Sequence, residues 1–225
     1  MVTAIIVAAG KSERMGGGAD KAFLNLGSRP IVAWSLLAFE KNADIDSIVL
    51  VVRKDQITAA KAVARMFGIS KLSKVVAGGT RRQDSVQAGL KETDSDTRIV
   101  VVHDGARPCV TQEVISEVIK YARRGTAVVT GCRIRDAVKI VEKGITVTST
   151  VDRAKYWTVQ TPQAFPVSML RKAYAAVEAE KKDVFDDAQA VEIAGETVKI
   201  CESDKPNIKI TTPEDIQVAA AILKL

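Results

Sequence analysis

Residues 1–21 read MVTAIIVAAGKSERMGGGADK, an apolar run that passes directly into a glycine-rich, basic stretch. No basic segment precedes the run and no cleavage site follows it, so we interpret Ile5–Ala8 as a buried first strand and not as a signal peptide. In open α/β sheets, ligands bind beyond the carboxyl ends of the strands, where small residues let backbone N–H groups approach a phosphate chain. The stretch therefore predicts an anion-binding turn after the first strand of such a sheet.

The turn does not match either of the common nucleotide-binding loops. A Walker loop needs a glycine five residues before Gly10, where the chain has Ile5, and a GxGxxG loop would need glycine at position 21, where it has Lys21. What remains is a small-residue turn whose cations can face several negative charges: Lys11, Arg14 and Lys21. On these residues alone, a flexible loop with solvated basic side chains is the alternative.

Short β-branched runs recur along the chain with helix-like segments between them. The runs are Ile5–Ala8, Ser47–Val52, Ser73–Ala77, Ile99–His103 and Ala127–Thr130. This alternation predicts an α/β fold: a Rossmann-like, doubly wound, mostly parallel sheet with helices on both faces.

Two helices carry signals of their own. After Thr111, apolar residues recur at helical spacing on one face: Val114, Ile115, Val118, Ile119 and Ala122. Near the C-terminus, Thr212 can cap a helix, Pro213 suits its first position, and Asp215 suits a capping box. We expect that helix to bury Ile216, Ala219, Ala220 and Leu223.

One region breaks the alternation. Between Arg133 and Thr150 the segments VKIVE and ITVTSTV are joined by Lys143-Gly144, which predicts a β-hairpin. An isolated hairpin is only marginally stable in water, so we expect this arm, at about residues 133–153, to pack against a second subunit. The sequence thus predicts a homodimer.

The composition limits the possible classes of protein. A chain of 225 residues with 47% hydrophobic residues is expected to form one domain, residues 1–225. No window has the roughly 18 apolar residues of a membrane span, and the three cysteines lack disulfide or metal spacing, so we expect a cytoplasmic protein without a membrane partner. The 33 basic residues are dispersed among 27 acidic ones and aromatic residues make up 4%, which disfavours nucleic-acid binding.

Six segments together carry a family resemblance. The first-strand turn is followed by GGTRRQDSV (78–86), HDGARP (103–108), TVDR (150–153), TPQ (161–163) and NIKIT (207–211). In this order they resemble the motifs of the 2-C-methyl-D-erythritol 4-phosphate cytidylyltransferases, across nearly the whole chain. The resemblance implies transfer of a cytidylyl group from CTP to that acceptor, with release of pyrophosphate, in the non-mevalonate route to isoprenoids.

The reaction implied is in-line attack by a substrate phosphate oxygen on the α-phosphorus of CTP. A phosphate monoester has its second pKa near 6, so the nucleophile is mostly ionised at neutral pH and no general base is required. The only histidine, His103, is accordingly given a structural role. The protein must supply alignment and positive charge.

The resemblance also implies roles for individual residues. Arg14 and Lys21 would hold charge in the transition state, and Arg153 and Lys209 would grip the acceptor phosphate. The nucleotide would be bound by Ala8, Ala9, Gly10, Lys11, Gly78, Gly79, Ser85, Asp104 and Gly105. The acceptor would be bound by Arg107, Asp136, Ala137, Arg153, Thr161 and Lys209, although Arg107 could instead face the triphosphate.

Magnesium or another divalent cation is expected with CTP, held mainly by its phosphates with Asp104 as a possible ligand. No His, Cys and carboxylate cluster predicts a permanent metal. The alternative role for Asp104 is to cap a helix, in which case it would bind neither the nucleotide nor the ion.

Two positions depart from the family pattern. Ala137 follows Asp136 where a threonine is common, and Phe185-Asp186 stands where Thr-Asp is common. Both affect the acceptor side, so ribitol 5-phosphate cytidylyltransferase is an alternative enzyme. A non-catalytic nucleotide-binding module is the alternative of another class.

Overall fold

The computed structural model describes residues 1–10 and 20–225, and Lys11 and Arg14 lie outside these residues. The described strands are β1 (Val2–Ala8), β2 (Asn25–Leu26), β3 (Arg29–Pro30), β4 (Ser47–Val52), β5 (Leu72–Ala77), β6 (Ile99–Asp104), β7 (Ala127–Arg133), β8 (Lys139–Val141), β9 (Val147–Thr150), β10 (Trp157–Pro166) and β11 (Val198–Glu202). The described α-helices are α1 (Ile31–Glu40), α2 (Ile57–Met66), α3 (Arg82–Lys91), α4 (Gln112–Arg123), α5 (Val167–Ala179), α6 (Asp187–Ile193) and α7 (Glu214–Leu223).

Seven strands form the central sheet, in the order β11-β7-β10-β6-β1-β4-β5. β1 pairs in parallel with β4 on one side and with β6 on the other. The chain thus moves outward from β1 through β4 to β5 and then returns to β6, so the strand order reverses beside β1. Such a reversal opens a crevice at the carboxyl ends of the two strands, which is where open α/β sheets bind ligands.

Helices cover both faces of this sheet because consecutive strand residues point to opposite sides. On one face, Ile6 and Leu50 pack with buried residues of α1, α2 and α4. On the other face, Ile5 and Val49 pack with buried residues of α3, α5 and α6. The predicted α/β, mostly parallel, doubly wound fold is confirmed.

The helix predicted after Thr111 is confirmed as α4, and each apolar residue named for its inner face is buried. The C-terminal helix differs slightly from its prediction. α7 begins at Glu214 with Pro213 at the capping position, while Asp215 accepts hydrogen bonds from the backbone N–H groups of Thr211 and Thr212 at 2.7 and 2.9 Å. Ala219 is the buried residue of α7, and Ile216, Ala220 and Leu223 are only partly buried where the helix packs on a small apolar cluster.

β10 is antiparallel to both of its neighbours, β6 and β7, and was not foreseen as a strand. Its sequence, WTVQTPQAFP, contains two prolines, which obscured the strand pattern. β10 also places Thr161 and Gln163 behind the end of β6.

The predicted hairpin is present as β8 and β9, with Gly144 at a φ of 64° in the turn. Residues 139–150 of this arm are all exposed, including Ile140, Val141, Ile145 and Val147. None of the helices in residues 1–10 and 20–225 is both long and apolar enough to cross a membrane.

Candidate active site

A pocket opens at the carboxyl ends of β1 and β6, where the strand order reverses. Its lining residues come from four separate segments: Val7, Ala8, Ala9, Gly10, Asp20, Lys21, Ala22, Gly79, Thr80, Arg81, Arg82, Ser85, Asp104, Ala106 and Lys209. The structure therefore brings together the first-strand turn and three motifs that are far apart in sequence.

Asp104 forms ion pairs with three basic side chains at this pocket. Its Oδ1 lies 3.2 Å from Arg82 Nε, and its Oδ2 lies 2.8 Å from Lys209 Nζ and 3.5 Å from Arg107 Nε. Burial acts to raise the pKa of Asp104, but Arg82, Lys209 and Arg107 outweigh it and hold that pKa well below its usual range. Asp104 is therefore an ionised carboxylate shared by three cations, and it does not act as a helix cap.

The NIKIT segment reaches Asp104 through backbone contacts. Ile210 N–H donates to the Ala106 carbonyl at 2.8 Å, and Arg107 Nη1 donates to the Asn207 carbonyl at 2.8 Å. Lys209 lies between these two attachments and is consequently held beside the end of β6. A cation 105 positions away in sequence from Asp104 thus meets it in space.

His103 supports the site from behind. It is fully buried, its Nε2 contacts the Arg107 carbonyl at 3.1 Å, and its Nδ1 contacts the Thr161 hydroxyl at 3.2 Å. That hydroxyl accepts the backbone N–H of Asp104 at 3.0 Å. Burial lowers the pKa of His103 to about 4, so it is neutral at pH 7 and holds the backbone on either side of the site.

The GGTRRQDSV segment forms a wall of the pocket at the start of α3. A Cβ atom on Gly78 would lie 2.5 Å from Ala9 Cβ and 2.6 Å from Ser85 Oγ. Ser85 Oγ accepts the Gly79 N–H and donates to the Arg81 carbonyl, both at 3.2 Å. Glycine at position 78 thus allows the close approach of this turn to the β1 turn.

Lys21 and Asp20 also line the pocket. Asp20 accepts the Ala22 N–H at 3.1 Å, which caps the 3-10 turn that begins at Lys21. Arg53 Nε lies 3.4 Å from the buried Asp20 carboxylate. Burial raises the pKa of Asp20, whereas the Ala22 N–H and Arg53 lower it. Asp20 therefore fixes the backbone that carries Lys21.

Arg82 lies within the GGTRRQDSV motif, but neither this arginine nor Asp187 has a role predicted from the sequence. Arg82 Nη1 donates to Asp187 Oδ2 at 2.8 Å, so this arginine joins the end of β6 to the start of α6. The two residues are 105 positions apart in sequence, so a spacing argument could not identify this pair. The sequence signal at this position is limited to two consecutive acidic residues, Asp186 and Asp187.

The predicted acceptor residues are divided between two places. Arg107, Lys209 and the buried Thr161 lie at or behind Asp104. Asp136, Ala137 and Arg153 are exposed at the base of the arm and do not line the pocket, and Arg153 donates to the Arg135 carbonyl.

Gly105, which was predicted to bind the nucleotide, packs against the end of β1, where its N–H donates to the Val7 carbonyl at 2.8 Å.

The donor set determines how a divalent ion could fit. Across residues 1–10 and 20–225, no group of three or more His, Cys, Asp or Glu side chains is placed to hold a metal ion. Both oxygens of Asp104 are engaged by cations. The described side chains do not make a resident ion site.

Comparisons with known proteins point to one family. The family model for 2-C-methyl-D-erythritol 4-phosphate cytidylyltransferase matches residues 2–225. The chain is 41% identical to the enzyme of that name from Alkaliphilus metalliredigens, over 99% of this chain and 92% of the relative. It is 40% identical to the one from Clostridium perfringens, over 99% of each chain.

Solved structures agree with the sequence comparisons. The crystal structure of the 4-diphosphocytidyl-2C-methyl-D-erythritol synthase from Anaerococcus prevotii superposes with a TM-score of 0.87 at 33% identity, over 100% of this chain and 98% of that one. The cytidylyltransferase structure from Thermus thermophilus gives a TM-score of 0.81 at 28% identity, over 98% of both chains.

Proposed function

This chain belongs to the 2-C-methyl-D-erythritol 4-phosphate cytidylyltransferase family, and we propose that it catalyses the reaction for which that family is named. It transfers a cytidylyl group from CTP to the phosphate of 2-C-methyl-D-erythritol 4-phosphate, and pyrophosphate leaves. The observation that carries the proposal is the pocket at the strand-order reversal, which joins the small-residue turn of β1 to Lys21, Arg82 and Lys209.

The nucleotide is bound by the turn after β1 and by the start of α3. Ala8, Ala9 and Gly10 offer backbone groups without bulky side chains, and Gly79 and Ser85 line the facing wall. Backbone amides and carbonyls can match the donors and acceptors of a cytosine edge. Lys11 and Arg14 follow the same turn in sequence and extend it with positive charge.

The acceptor phosphate is held by the cations beside Asp104. Lys209 and Arg107 are oriented by Asp104 Oδ2, so their positions are set before an anion arrives. Such preorganised charge stabilises developing negative charge without reorganisation during the reaction. Lys21, with Arg14, is assigned to the charge that accumulates around the α-phosphorus.

No side chain needs to remove a proton in this mechanism. The attacking oxygen belongs to a phosphate monoester, whose second pKa is near 6. His103 is unsuited to be a base, because it is fully buried and both ring nitrogens are hydrogen-bonded. The chain therefore works by in-line alignment and by electrostatic stabilisation.

A divalent ion, magnesium by preference, would be bound mainly by the phosphates of CTP and would neutralise part of the charge of the triphosphate. Asp104 is engaged by three cations, so its carboxylate orients side chains rather than holding the ion.

The arm supplies the remaining acceptor residues from a second subunit. It exposes Ile140, Val141, Ile145 and Val147, which a homodimer interface would bury. Arg153 lies at the base of the same arm and outside the pocket of its own chain, so pairing of two subunits is the route by which it reaches an acceptor phosphate. The dimer works in the cytoplasm.

The test is pyrophosphate release by the purified protein with MgCTP. Turnover is compared for 2-C-methyl-D-erythritol 4-phosphate and ribitol 5-phosphate, for CTP against the other nucleoside triphosphates, and for wild type against Lys21→Ala. Lys61→Ala is the matched control, because Lys61 is exposed on α2 and does not line the pocket.

We expect turnover with the methylerythritol acceptor and CTP, unchanged in Lys61→Ala and reduced at least ~100-fold in Lys21→Ala, as found when one stabilising group is removed. Turnover with ribitol 5-phosphate alone would reassign the acceptor. Absence of turnover with either acceptor, despite CTP binding, would identify a nucleotide-binding module.

A further inference from the structure

Asp187 is a buried carboxylate that the reaction described above does not use. It is the first residue of α6, has no exposed surface, and does not line the pocket. Its Oδ2 accepts from Arg82 Nη1 at 2.8 Å, and its Oδ1 accepts from the Tyr174 hydroxyl at 2.5 Å. Each oxygen thus has one strong partner, and only Arg82 reaches the pocket.

Tyr174 is suited to remain a hydrogen-bond donor to Asp187. It is 3% exposed on α5, and burial together with the Asp187 charge raises its pKa well above the usual value. The phenol therefore stays protonated at any pH at which the enzyme works. It fixes the carboxylate on the side away from Arg82.

Asp187 and Asp104 divide the guanidinium of Arg82 between them. Burial lowers the pKa of Arg82, but Asp187 and Asp104 together raise it above its usual value. Among residues 1–10 and 20–225, Asp104 would be the remaining carboxylate within ion-pair distance of this arginine if Asp187 lost its negative charge. Arg82 would then compete for Asp104 with Lys209 and Arg107.

The charges of the cluster lead to the same conclusion. Three cations, Arg82, Arg107 and Lys209, share two anions, Asp104 and Asp187, so positive charge is already in excess. Buried like charges are tolerated only when opposite charges lie close to them. Removing Asp187 would leave these three cations around a single carboxylate and would remove the ion pair that, in the described part of the chain, holds Arg82 toward α6.

We propose that Asp187, held by Tyr174, is a positioning residue that fixes Arg82 in the wall of the nucleotide pocket and leaves Asp104 Oδ2 to Lys209 and Arg107. This inference rests on the proposed function, because it assigns the pocket to CTP. Asp187 itself touches no substrate and acts through Arg82.

A double-mutant cycle separates this role from simple stabilisation of α5 and α6. The proteins are wild type, Asp187→Asn, Arg82→Gln and the double variant. Mg²⁺-dependent CTP binding is measured by calorimetry, the KM for CTP and kcat by pyrophosphate release, and folding by thermal unfolding. Asp187→Asn keeps the side-chain volume and removes the charge.

We expect Asp187→Asn to weaken CTP binding at least tenfold and to raise the KM for CTP more than it lowers kcat. In the Arg82→Gln background the same substitution is expected to change CTP affinity less than twofold. Equal losses in both backgrounds, or unchanged affinity in Asp187→Asn, would overturn the proposal.

Two further variants serve as a control and as a substitute for Asp187→Asn. Asp186→Asn is the matched control, since Asp186 caps the same helix through the Gln189 N–H, and asparagine can keep that cap. It is expected to bind CTP like wild type, and a tenfold loss there would refute a specific role for Asp187. If Asp187→Asn does not fold, Tyr174→Phe replaces it in the cycle, with a loss of affinity of about threefold expected only when Arg82 is present.

Calorimetry needs no acceptor, so the proposal is tested even if the acceptor is wrongly assigned. Wild-type CTP binding without turnover would contradict the proposed reaction while the cycle still decides the role of Asp187. Wild-type turnover with unaltered CTP affinity in Asp187→Asn would contradict only the role of Asp187.

Discussion

Replacing Asp104 with asparagine tests the charge cluster at the centre of the site. The substitution keeps the shape of the side chain but leaves Arg82, Lys209 and Arg107 without their shared carboxylate, whose side chain is only 8% exposed. Breaking a buried ion pair by removing one partner typically costs ~3–5 kcal/mol. Since whole proteins are stable by about 5–15 kcal/mol, the loss should be a large share of the free energy of unfolding.

The assay is urea unfolding followed by the fluorescence of the two tryptophans, Trp34 and Trp157. At an m-value of about 3 kcal/mol per molar urea, the expected loss lowers the midpoint by about 1 M or more. Asp55→Asn is the control, because its partner Arg53 lies 3.0 Å away and the Asp55 side chain is 63% exposed. An exposed pair contributes little, so that variant should unfold close to wild type.

The pH dependence gives a second measurement of the same effect. The pKa of Asp104 is lowered in the folded protein, so its contribution is present above the unfolded value of 3.8 and is lost as the pH falls below it. The stability difference between wild type and Asp104→Asn should stay constant from pH 7 to about pH 5 and narrow below about pH 4. A midpoint like that of wild type at pH 7, or a difference that widens in acid, would refute the reasoning.

Three other predictions follow from the described geometry. The imidazole of His103, followed by NMR, should titrate near pH 4 and not near pH 6.5. Because the unfolded state takes up the proton first, this histidine should lower the free energy of unfolding by about 3 kcal/mol as the pH falls from 6.5 to 4. A titration midpoint near pH 6.5 would contradict its burial. Gly78→Ala should weaken CTP binding at least tenfold in calorimetry, since the new methyl group would lie 2.5 Å from Ala9 Cβ and 2.6 Å from Ser85 Oγ; unchanged affinity would show that the turn can move aside. Ile140→Asp in the arm should convert the proposed dimer to a monomer in light scattering, because a charge would be buried at the proposed subunit interface. A stable dimer in that variant would place the interface elsewhere.

The sequence predicted the main strands because their residues carry a strong local signal. The run Ser47–Val52 was identified with the bounds that the structure gives to β4, and all six of its residues are buried. α4 was predictable for the same reason, since its apolar residues recur at helical spacing. β10 was missed, because prolines interrupt its pattern and its pairing with β6 and β7 is decided by distant residues.

For the candidate active site, the sequence by itself predicted a small-residue turn after β1 and separate cationic motifs, and the family resemblance implied a phosphate nucleophile that needs no general base. The turn and the motifs follow from residue types and their spacing within short segments. Only the tertiary structure decided which charges meet. Lys209 reaches Asp104 because backbone hydrogen bonds tie its segment to the end of β6, and Arg82 meets Asp187 because α3 and α6 cover the same face of the sheet. Contacts between residues about a hundred positions apart depend on how the chain folds back, and no local pattern records that.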